Sequence, residues 1–314
     1  MLRADRVTPH PARGAVVGLA AAAVAGAAAW PFVEPHLPVL RHARVPVLRD
    51  GARPLRVLHV SDLHLLPRHA RRAAWLRGLA RLQPDLVVST GDHVSSPDAT
   101  SLLVESLRAL IADGAVGVFV PGNNDYYLPV PPSPLAYLLG RPPTRRPPDL
   151  PWHEVAAALT DAGWTDLTHR RTSHVLAGTT VVLTGTDDAH LRRDRYAQVV
   201  GPVDRGALGI GVTHTPARRL LEALAGDGHG LVLAGHTHGG QLRVPGAGAV
   251  VTNCDLPRWR ARGLTRDDRG WLHVCAGLGT SPWLPVRLCC RPEATLLELV
   301  AASDDDRPAA RPVR

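Results

Sequence analysis

Lysine is absent from this sequence, and all 36 basic residues are arginine. Together with 29 glycines and 29 prolines, this one-sided choice is typical of a GC-rich bacterial genome. The net charge of +8 therefore does not decide between anionic lipid, nucleic acid and a phosphorylated substrate as partner. Because no basic run alternates with aromatic residues, we predict no dedicated nucleic-acid groove.

Cysteine is also scarce. The four cysteines are Cys254, Cys275, Cys289 and Cys290, and none of them forms a C-x-x-C pair. This spacing excludes a zinc ribbon, and a disulfide between the neighbouring Cys289 and Cys290 requires strained geometry. We therefore predict buried or half-buried thiols, which do not indicate a cellular compartment.

Charge is missing from one stretch near the N-terminus, residues 14–33, which consists mainly of Ala, Val, Gly and Leu. A helix of about 20 residues spans the roughly 30 Å hydrocarbon core of a bilayer. We therefore predict a membrane-associated protein with a hydrophobic anchor within residues 1–33, on an undetermined side of the membrane. Two alternatives stay open. One is a cleaved signal peptide, with Ala27 and Ala29 before Trp30, which predicts a secreted protein; the other is a soluble packing helix.

The remaining chain divides by composition. We predict a Pro-broken linker over 34–54, one α/β domain over 55–302, and a charged, disordered tail over 303–314. A Pro-rich insertion without periodicity interrupts the domain at 126–152, and its length is typical of a lid, a binding loop or a disordered segment. A chain of 314 residues can bury one large core, so no second domain is required.

Apolar and amphipathic runs alternate from residue 55 onwards. Predicted strands over 55–60, 85–90 and 116–120 are separated by predicted helices over 68–82 and 97–112. This βαβαβ order predicts parallel strands with helical crossovers. Further helices are predicted over 154–162 and 218–225, and further strands over 174–184, 208–213, 231–234, 272–276 and 294–300.

Several of these strands end at a cluster of Asp, His or Asn residues. Asp62 and His64 follow the first strand, and His236 and His238 follow a later one. Because sites in open α/β sheets lie beyond the carboxyl ends of strands, we expect the clusters to converge on one crevice. The spacing of two residues predicts that both side chains of a pair point the same way on extended backbone. Asp, His and Asn donors suit Mn²⁺, Fe or Zn²⁺ rather than a thiolate site.

Five short motifs occur along the chain in this order: Asp62-x-His64, Gly91-Asp92, Gly122-Asn123-x-Asp125, His214 and Gly235-His236-x-His238. Each motif is weak by itself, but the ordered set resembles the calcineurin-like metallophosphoesterase family. The run from Gly235 to Gln241 and the N-terminal hydrophobic segment resemble its YkuE/YaeI-like, membrane-associated bacterial branch. The resemblance extends over roughly residues 55–300. It implies a sandwich of two mixed β-sheets flanked by helices (αββα), preceded by an N-terminal hydrophobic helix.

The resemblance also implies two divalent metal ions and assigns their ligands. One ion is expected on Asp62, His64 and His238, the other on Asn123, His214 and His236, and Asp92 is expected to bridge them and to take part in catalysis. Two such cations activate water and hold phosphoryl oxygens. We therefore expect hydrolysis of phosphomonoesters or phosphodiesters, and the predicted anchor favours a lipid or nucleotide-lipid substrate.

One position departs from the family. Its asparagine is usually followed by a histidine that contacts or protonates the reacting ester, whereas this sequence has Asn124, whose amide cannot deliver a proton near pH 7. Asn124 is therefore a candidate catalytic residue that donates only a hydrogen bond. His93, which follows Asp92, is a candidate proton donor, and the alternative for it is a structural or solvent-facing histidine. For Asp125 we predict a structural carboxylate that orients its loop.

Two other functions stay open. A nuclease or cyclic-nucleotide phosphodiesterase requires a nucleobase pocket or a basic groove, and neither is visible in the sequence. A metal-stabilised protein with catalysis weakened at Asn124 requires only the same ligand set.

Overall fold

Two six-stranded β-sheets form the frame of the molecule. The computed structural model describes residues 25–130, 147–280 and 283–302. In chain order the strands are β1 (Val39–Leu48), β2 (Leu55–Val60), β3 (Leu86–Ser89), β4 (Val116–Phe119), β5 (Thr165–Asp166), β6 (Arg170–Leu176), β7 (Thr179–Gly185), β8 (Leu208–Val212), β9 (His229–Ala234), β10 (Arg243–Val244), β11 (Gly248–Ala249), β12 (Gly263–Asp267), β13 (Gly270–Val274) and β14 (Glu293–Ala301). The α-helices are α1 (Ala70–Arg77), α2 (Thr100–Ile111), α3 (Trp152–Asp161) and α4 (Arg218–Gly226). A helical segment at residues 25–33 precedes all of these elements.

Both sheets combine parallel and antiparallel strands. The first has the order β1-β14-β2-β3-β4-β5 and the second the order β12-β13-β9-β8-β7-β6. Strands β2 to β5 run parallel to one another, as do β7, β8, β9 and β13. The carboxyl ends of the parallel strands in each sheet therefore lie at one edge, where an open α/β sheet places its site.

Buried parallel strands need apolar residues on both faces, and β3 supplies them by simple alternation. Leu86 and Val88 join the core between the sheets, which also contains Ile210 of β8. Val87 points to the opposite side and joins a cluster with Leu107 of α2. Helices α1 to α3 thus cover the first sheet, and α4 covers the outer face of the second. The predicted αββα sandwich of two mixed sheets is confirmed.

The three strands predicted between residues 55 and 120 occur within about one residue of their expected bounds. The helix predicted over 68–82 is α1 followed by a 3-10 segment at Gly78–Leu82, and the helix predicted over 97–112 is a 3-10 segment at Pro97–Ala99 followed by α2. The predicted strand region at 174–184 is instead a hairpin of β6 and β7. Its turn holds Ala177 at φ 47° and Gly178 at φ 85°. An Ala-Gly turn is a weaker local signal than Asn-Gly or Asp-Gly, so the pattern alone merged the two strands.

The linker predicted over 34–54 is wrong for most of its length. Strand β1 lies in this range and pairs in parallel with β14 over its whole length. Its residues Val45 and Leu48 are buried in the core between the sheets. Pro46 lies at the register irregularity of an edge strand, where a missing backbone donor is tolerated. The prolines that indicated a linker are therefore compatible with a strand at this edge.

The predicted N-terminal hydrophobic helix is not confirmed. Residues 14–24 lie outside the described part of the chain, and only 25–33 are described as helical. Among the described helices, none combines the length and the apolar character needed to cross a membrane. Most of the predicted Pro-rich insertion and the predicted tail at 303–314 also lie outside the described residues.

If β1 is an integral part of the sandwich, shortening one of its core side chains will destabilise the fold. We expect Leu48→Ala, at a position that is 4% exposed, to lower the free energy of unfolding by about 2–5 kcal/mol in urea titrations. Val175→Ala in β6, at a position that is 71% exposed, serves as the control and should change it by less than about 0.5 kcal/mol. If both substitutions changed the free energy of unfolding by the same small amount, the conclusion that β1 is part of the sandwich core would be contradicted.

Candidate metal centre

The loops that follow β2, β3, β4, β8 and β9 meet at the shared carboxyl edge of the sheets. Five of their residues have left-handed backbone, with φ of 50°, 43°, 56°, 71° and 49° at Asp62, His64, Asp92, His236 and His238. Non-glycine residues adopt this conformation only where surrounding contacts enforce it, and such strain concentrates at functional sites. The side chains of the pairs Asp62/His64 and His236/His238 therefore converge through tight turns. The prediction that these pairs lie on extended backbone is wrong.

Asp62, His64, Asp92 and His238 form a first donor group, in which one ligand atom of each lies within 4.8 Å of the others. Nε2 of His64 lies 3.2 Å from Nε2 of His238 and 3.3 Å from Oδ2 of Asp92. Nε2 of His238 lies 3.4 Å from Oδ1 of Asp62. Nitrogen and carboxylate lone pairs facing one another in a buried space fit a divalent cation. This group is a potential metal-binding site.

Asn123, His214 and His236 form a second donor group beside the first. Oδ1 of Asn123 lies 3.1 Å from Nε2 of His214 and 3.0 Å from Nδ1 of His236. The two imidazole nitrogens are 3.3 Å apart. Oδ1 of Asp92 lies 3.5 Å from Nε2 of His214, so this carboxylate turns one oxygen to each group.

Backbone carbonyls orient the two histidines of the second group. Nδ1 of His214 lies 2.6 Å from the carbonyl oxygen of Thr90, and Nε2 of His236 lies 3.1 Å from that of Asn253. A carbonyl only accepts, so each of these ring nitrogens carries a hydrogen and donates it. In His236 the opposite nitrogen then presents a lone pair towards Asn123, as metal-binding histidines do, and His214 does the same once its second ring nitrogen has lost its proton.

Asp92 and His214 stabilise each other in opposite charge states. Burial raises the pKa of Asp92, but the charge of His214 and contacts with His64 hold it well below its usual range. Burial lowers the pKa of His214, yet the carboxylates of Asp92, Asp62 and Asp188 raise it to about 9. Without a metal, the second group therefore carries a proton where a cation would bind.

Two further imidazoles of the cleft, those of His236 and His238, stay neutral. Burial and the nearby His214 lower the pKa of His236 to about 3. Burial, followed by the neighbouring His64, also lowers the pKa of His238 well below its usual value. Neutral imidazole is the form that binds metal ions, so these residues need no deprotonation at neutral pH.

Asp125 fixes the loops around Asp92. Its carboxylate accepts hydrogen bonds from the backbone N–H groups of Asp92, His93 and Gly122, at 2.8, 2.7 and 2.8 Å. This is the loop-orienting role predicted from the sequence. Because Asp125 ties the loop after β3 to the loop after β4, it holds the two donor groups in register.

The suggestion that His93 donates a proton to the substrate is wrong. The side chain is fully buried, and its ring stacks on Trp152 with the centroids 5.4 Å apart. Nδ1 lies 2.9 Å from Oδ2 of Asp125, and Nε2 lies 2.9 Å from Oγ of Ser89. Both ring nitrogens are thus occupied away from the cleft. His93 is therefore a structural histidine, as the alternative interpretation of the sequence had it, and it does not face solvent.

Asn124 contacts the carboxylate of Asp92. Its backbone N–H donates to Oδ1 over 2.8 Å, and its side-chain amide donates to Oδ2 over 2.7 Å. The residue is half-buried. Its amide therefore helps to hold Asp92 in place, which is a different role from contact with a leaving group.

Two glycines permit the close approach of the loops. A Cβ atom at Gly122 would lie 2.2 Å from Oδ1 of Asp92, and one at Gly235 would lie 1.9 Å from Oγ of Ser61. Neither distance is compatible with a side chain, so only glycine fits at these positions.

Sequence reasoning missed the support behind His238. The buried carboxylate of Glu34 accepts hydrogen bonds from the backbone N–H groups of Cys289 and Cys290, and from Nε1 of Trp30 over 3.0 Å. Sγ of Cys290 in turn lies 3.2 Å from the carbonyl oxygen of His238. These contacts join the end of the N-terminal helical segment to the metal centre. The contacts of Glu34 with Cys289 and Cys290 link residues 255 and 256 positions apart, so no local pattern could indicate them.

A family model described as calcineurin-like phosphoesterase matches residues 55–240, more than half of the chain. The chain belongs to this family. It is accordingly a phosphoester hydrolase whose potential metal site is the cluster of Asp and His residues at the carboxyl edge.

Curated relatives of this phosphoesterase are bacterial. It is 28% identical over 267 residues to phosphodiesterase YaeI of Escherichia coli (strain K12), covering 83% of this chain and 88% of the relative. It is 25% identical over 244 residues to the uncharacterized protein YpbG of Bacillus subtilis (strain 168), covering 77% and 84%. Among solved structures, TT1561 of Thermus thermophilus aligns with a TM-score of 0.42 at 12% identity, covering 72% of this chain and 91% of that chain.

The raised pKa of His214 makes the stability of the metal-free protein depend on pH. Since the folded pKa of about 9 lies above the ordinary 6.5, protonation stabilises the fold fully below pH 6.5 and ceases to do so as the pH rises through 9. In the presence of a metal chelator, we expect the free energy of unfolding to fall by about 3 kcal/mol as the pH rises from 6.5 to 9.

His214→Gln removes the titrating group and provides the comparison. Chemical denaturation of both proteins at several pH values should show the loss in the wild type and a much flatter profile in the variant. Parallel profiles would contradict the assignment of the proton to His214.

Proposed function

We propose that this chain hydrolyses phosphomonoesters or phosphodiesters with two divalent metal ions, of which Mn²⁺, Fe and Zn²⁺ suit the donors best. One ion is assigned to Asp62, His64 and His238, the other to Asn123, His214 and His236, and Asp92 bridges them. When bound, such a pair supplies Lewis acidity and an activated water for in-line attack on phosphorus.

The observation that carries this proposal is the position of Asp92. Its two oxygens face different donor groups, Oδ2 towards His64 at 3.3 Å and Oδ1 towards His214 at 3.5 Å. A carboxylate in this position can serve two cations at once, whereas a single-metal site needs only one of its oxygens. The buried cleft also weakens competition by solvent, which strengthens electrostatic interactions with a phosphoryl group.

The remaining residues of the cleft keep these donors in position. Asp125 holds the backbone of Asp92, and Asn124 holds its carboxylate. Thr90 directs the ring of His214 through its carbonyl. The chain thus provides an arrangement of donors with little freedom to reorganise, which favours catalysis by preorganisation.

Asp92→Asn tests the bridge directly, because an amide offers only one oxygen. With added Mn²⁺, Fe²⁺ or Zn²⁺, we expect the variant to hydrolyse bis-p-nitrophenyl phosphate and p-nitrophenyl phosphate at least about 100-fold more slowly than the wild type. Elemental analysis should find two ions in the wild type and fewer in the variant.

Asp227→Asn is the matched control, since this carboxylate accepts hydrogen bonds from Tyr196 and Gly201 in a distant loop. It should keep the metal content and the rate of the wild type. The dinuclear proposal would be contradicted if the wild-type protein bound only one metal ion at saturation, or if the Asp92→Asn variant kept full activity.

We further propose that the protein is membrane-associated through its N-terminal segment and that its substrate is an amphiphile at a lipid surface. The helical segment at 25–33 exposes Trp30, Phe32 and Val33 by 44%, 60% and 44%. Residues 14–24, which precede it, carry no charge in the sequence. Exposed aromatic and aliphatic side chains next to an uncharged segment are suited to the interface of a bilayer.

The contacts of Glu34 with Cys289 and Cys290 support a link between this surface and catalysis. They fix the apolar end of the helical segment to the loop that touches His238. A protein bound to lipid through Trp30 and Phe32 would therefore hold its metal centre at a set position relative to the surface.

The double substitution Phe32→Ser and Val33→Ser should weaken co-sedimentation with lipid vesicles about 10-fold or more, because two apolar side chains no longer enter the lipid. Hydrolysis of a phospholipid in mixed micelles should fall similarly, while hydrolysis of bis-p-nitrophenyl phosphate stays unchanged. Val175→Ser, at a position 71% exposed in β6, is the control. Unaltered vesicle binding by the double variant would refute the lipid surface.

A further inference from the structure

A continuous chain of buried hydrogen bonds runs from Asp62 into the core between the sheets. Oδ2 of Asp62 accepts from Oγ of Ser61 over 2.5 Å, and Oγ of Ser61 accepts from Oγ1 of Thr90 over 2.7 Å. Oγ1 of Thr90 lies 2.9 Å from Nε2 of His59, whose Nδ1 lies 2.8 Å from Nδ1 of His273. All five side chains are at most 2% exposed.

The two histidines occupy positions where the strand pattern calls for apolar residues. In β2, Leu55 and Val57 face the core between the sheets, and His59 continues the same alternation. His273 lies in β13 of the opposite sheet, so the pair crosses the sandwich. Burying two imidazoles in this core is unfavourable unless their polar atoms are paired, and an aliphatic pair would fill the space without that requirement.

Only one direction of donation satisfies every member of the chain. A carboxylate that serves as a metal ligand only accepts, so Ser61 donates to Asp62, Thr90 donates to Ser61, and Nε2–H of His59 donates to Thr90. Burial lowers the pKa of His59 well below its usual value and that of His273 to about 4, so both rings are neutral. Nδ1 of His59 must then accept from Nδ1–H of His273.

We propose that His273, His59 and Thr90 are positioning residues that orient the Ser61 hydroxyl towards Oδ2 of Asp62 and thereby direct Oδ1 towards a metal ion. The backbone N–H of His236 lies 3.2 Å from Oδ1 and 3.1 Å from Oδ2 and is shared between the two oxygens. Oδ1 is the oxygen that faces Nε2 of His238, at 3.4 Å. The proposal rests on the proposed function, because it takes Asp62 as a ligand. Partners outside the ligand set that fix a ligating group commonly change metal affinity when they are removed.

Thr90→Val breaks the chain at its midpoint with little change of shape, and Thr90→Ser retains the hydroxyl. Thr184→Val is the matched control, because its buried hydroxyl lies 2.8 Å from Nε2 of His229 and has no link to Asp62. We expect competition with a chromophoric chelator to show Zn²⁺ affinity reduced about 10- to 100-fold in Thr90→Val. Thr90→Ser and Thr184→Val should match the wild type.

Nitrogen-15 NMR of histidine-labelled protein tests the direction of donation without metal or substrate. The expected spectrum shows a neutral Nε2–H tautomer for His59 and a neutral Nδ1–H tautomer for His273. The opposite tautomer at His59 would overturn the proposal even if Thr90→Val misfolds. Equal Zn²⁺ affinity of Thr90→Val and Thr184→Val would overturn the positioning role while leaving the metal centre intact. A wild-type protein that binds no metal would overturn the proposed function as well.

Discussion

A carboxylate buried among imidazoles is stable only if fixed dipoles and opposite charge replace the water that it has lost. Asp92 meets this condition through contacts from three sides: Asp125 holds its backbone, Asn124 donates to both of its oxygens, and a protonated His214 balances its charge. The two donor groups are arranged around this residue. The strained turns and the glycine contacts of the neighbouring loops serve to keep them there.

Much of the sandwich follows from local pattern. Strands such as β2 and β3 are short apolar runs ending in polar turns, and this pattern predicts both the strand and the position of the residues that follow it. The convergence of Asp62, Asp92 and His214 could therefore be expected from the rule that parallel strands present their carboxyl ends at one edge. Helices α1 and α2 were equally predictable from their periodicity.

Other features depend on tertiary contacts that a local pattern does not contain. The role of His93 is decided by Asp125 and Trp152, which lie in other elements. The strand character of β1 depends on pairing with β14, at the far end of the chain. The left-handed backbone at Asp62 and His236 is enforced by contacts within the assembled cleft, so single-residue preferences point away from it.

The position of β14 between β1 and β2 has a consequence for how the polypeptide matures. During synthesis, β1 emerges well before β14, the strand with which it pairs, because β1 ends at Leu48 and β14 begins only at Glu293. The segment that carries Cys289 and Cys290, to which Glu34 binds, also emerges late. The nascent enzyme thus joins β1 and Glu34 to these later segments only after most strands of the two sheets have emerged, and only then is the support behind His238 complete.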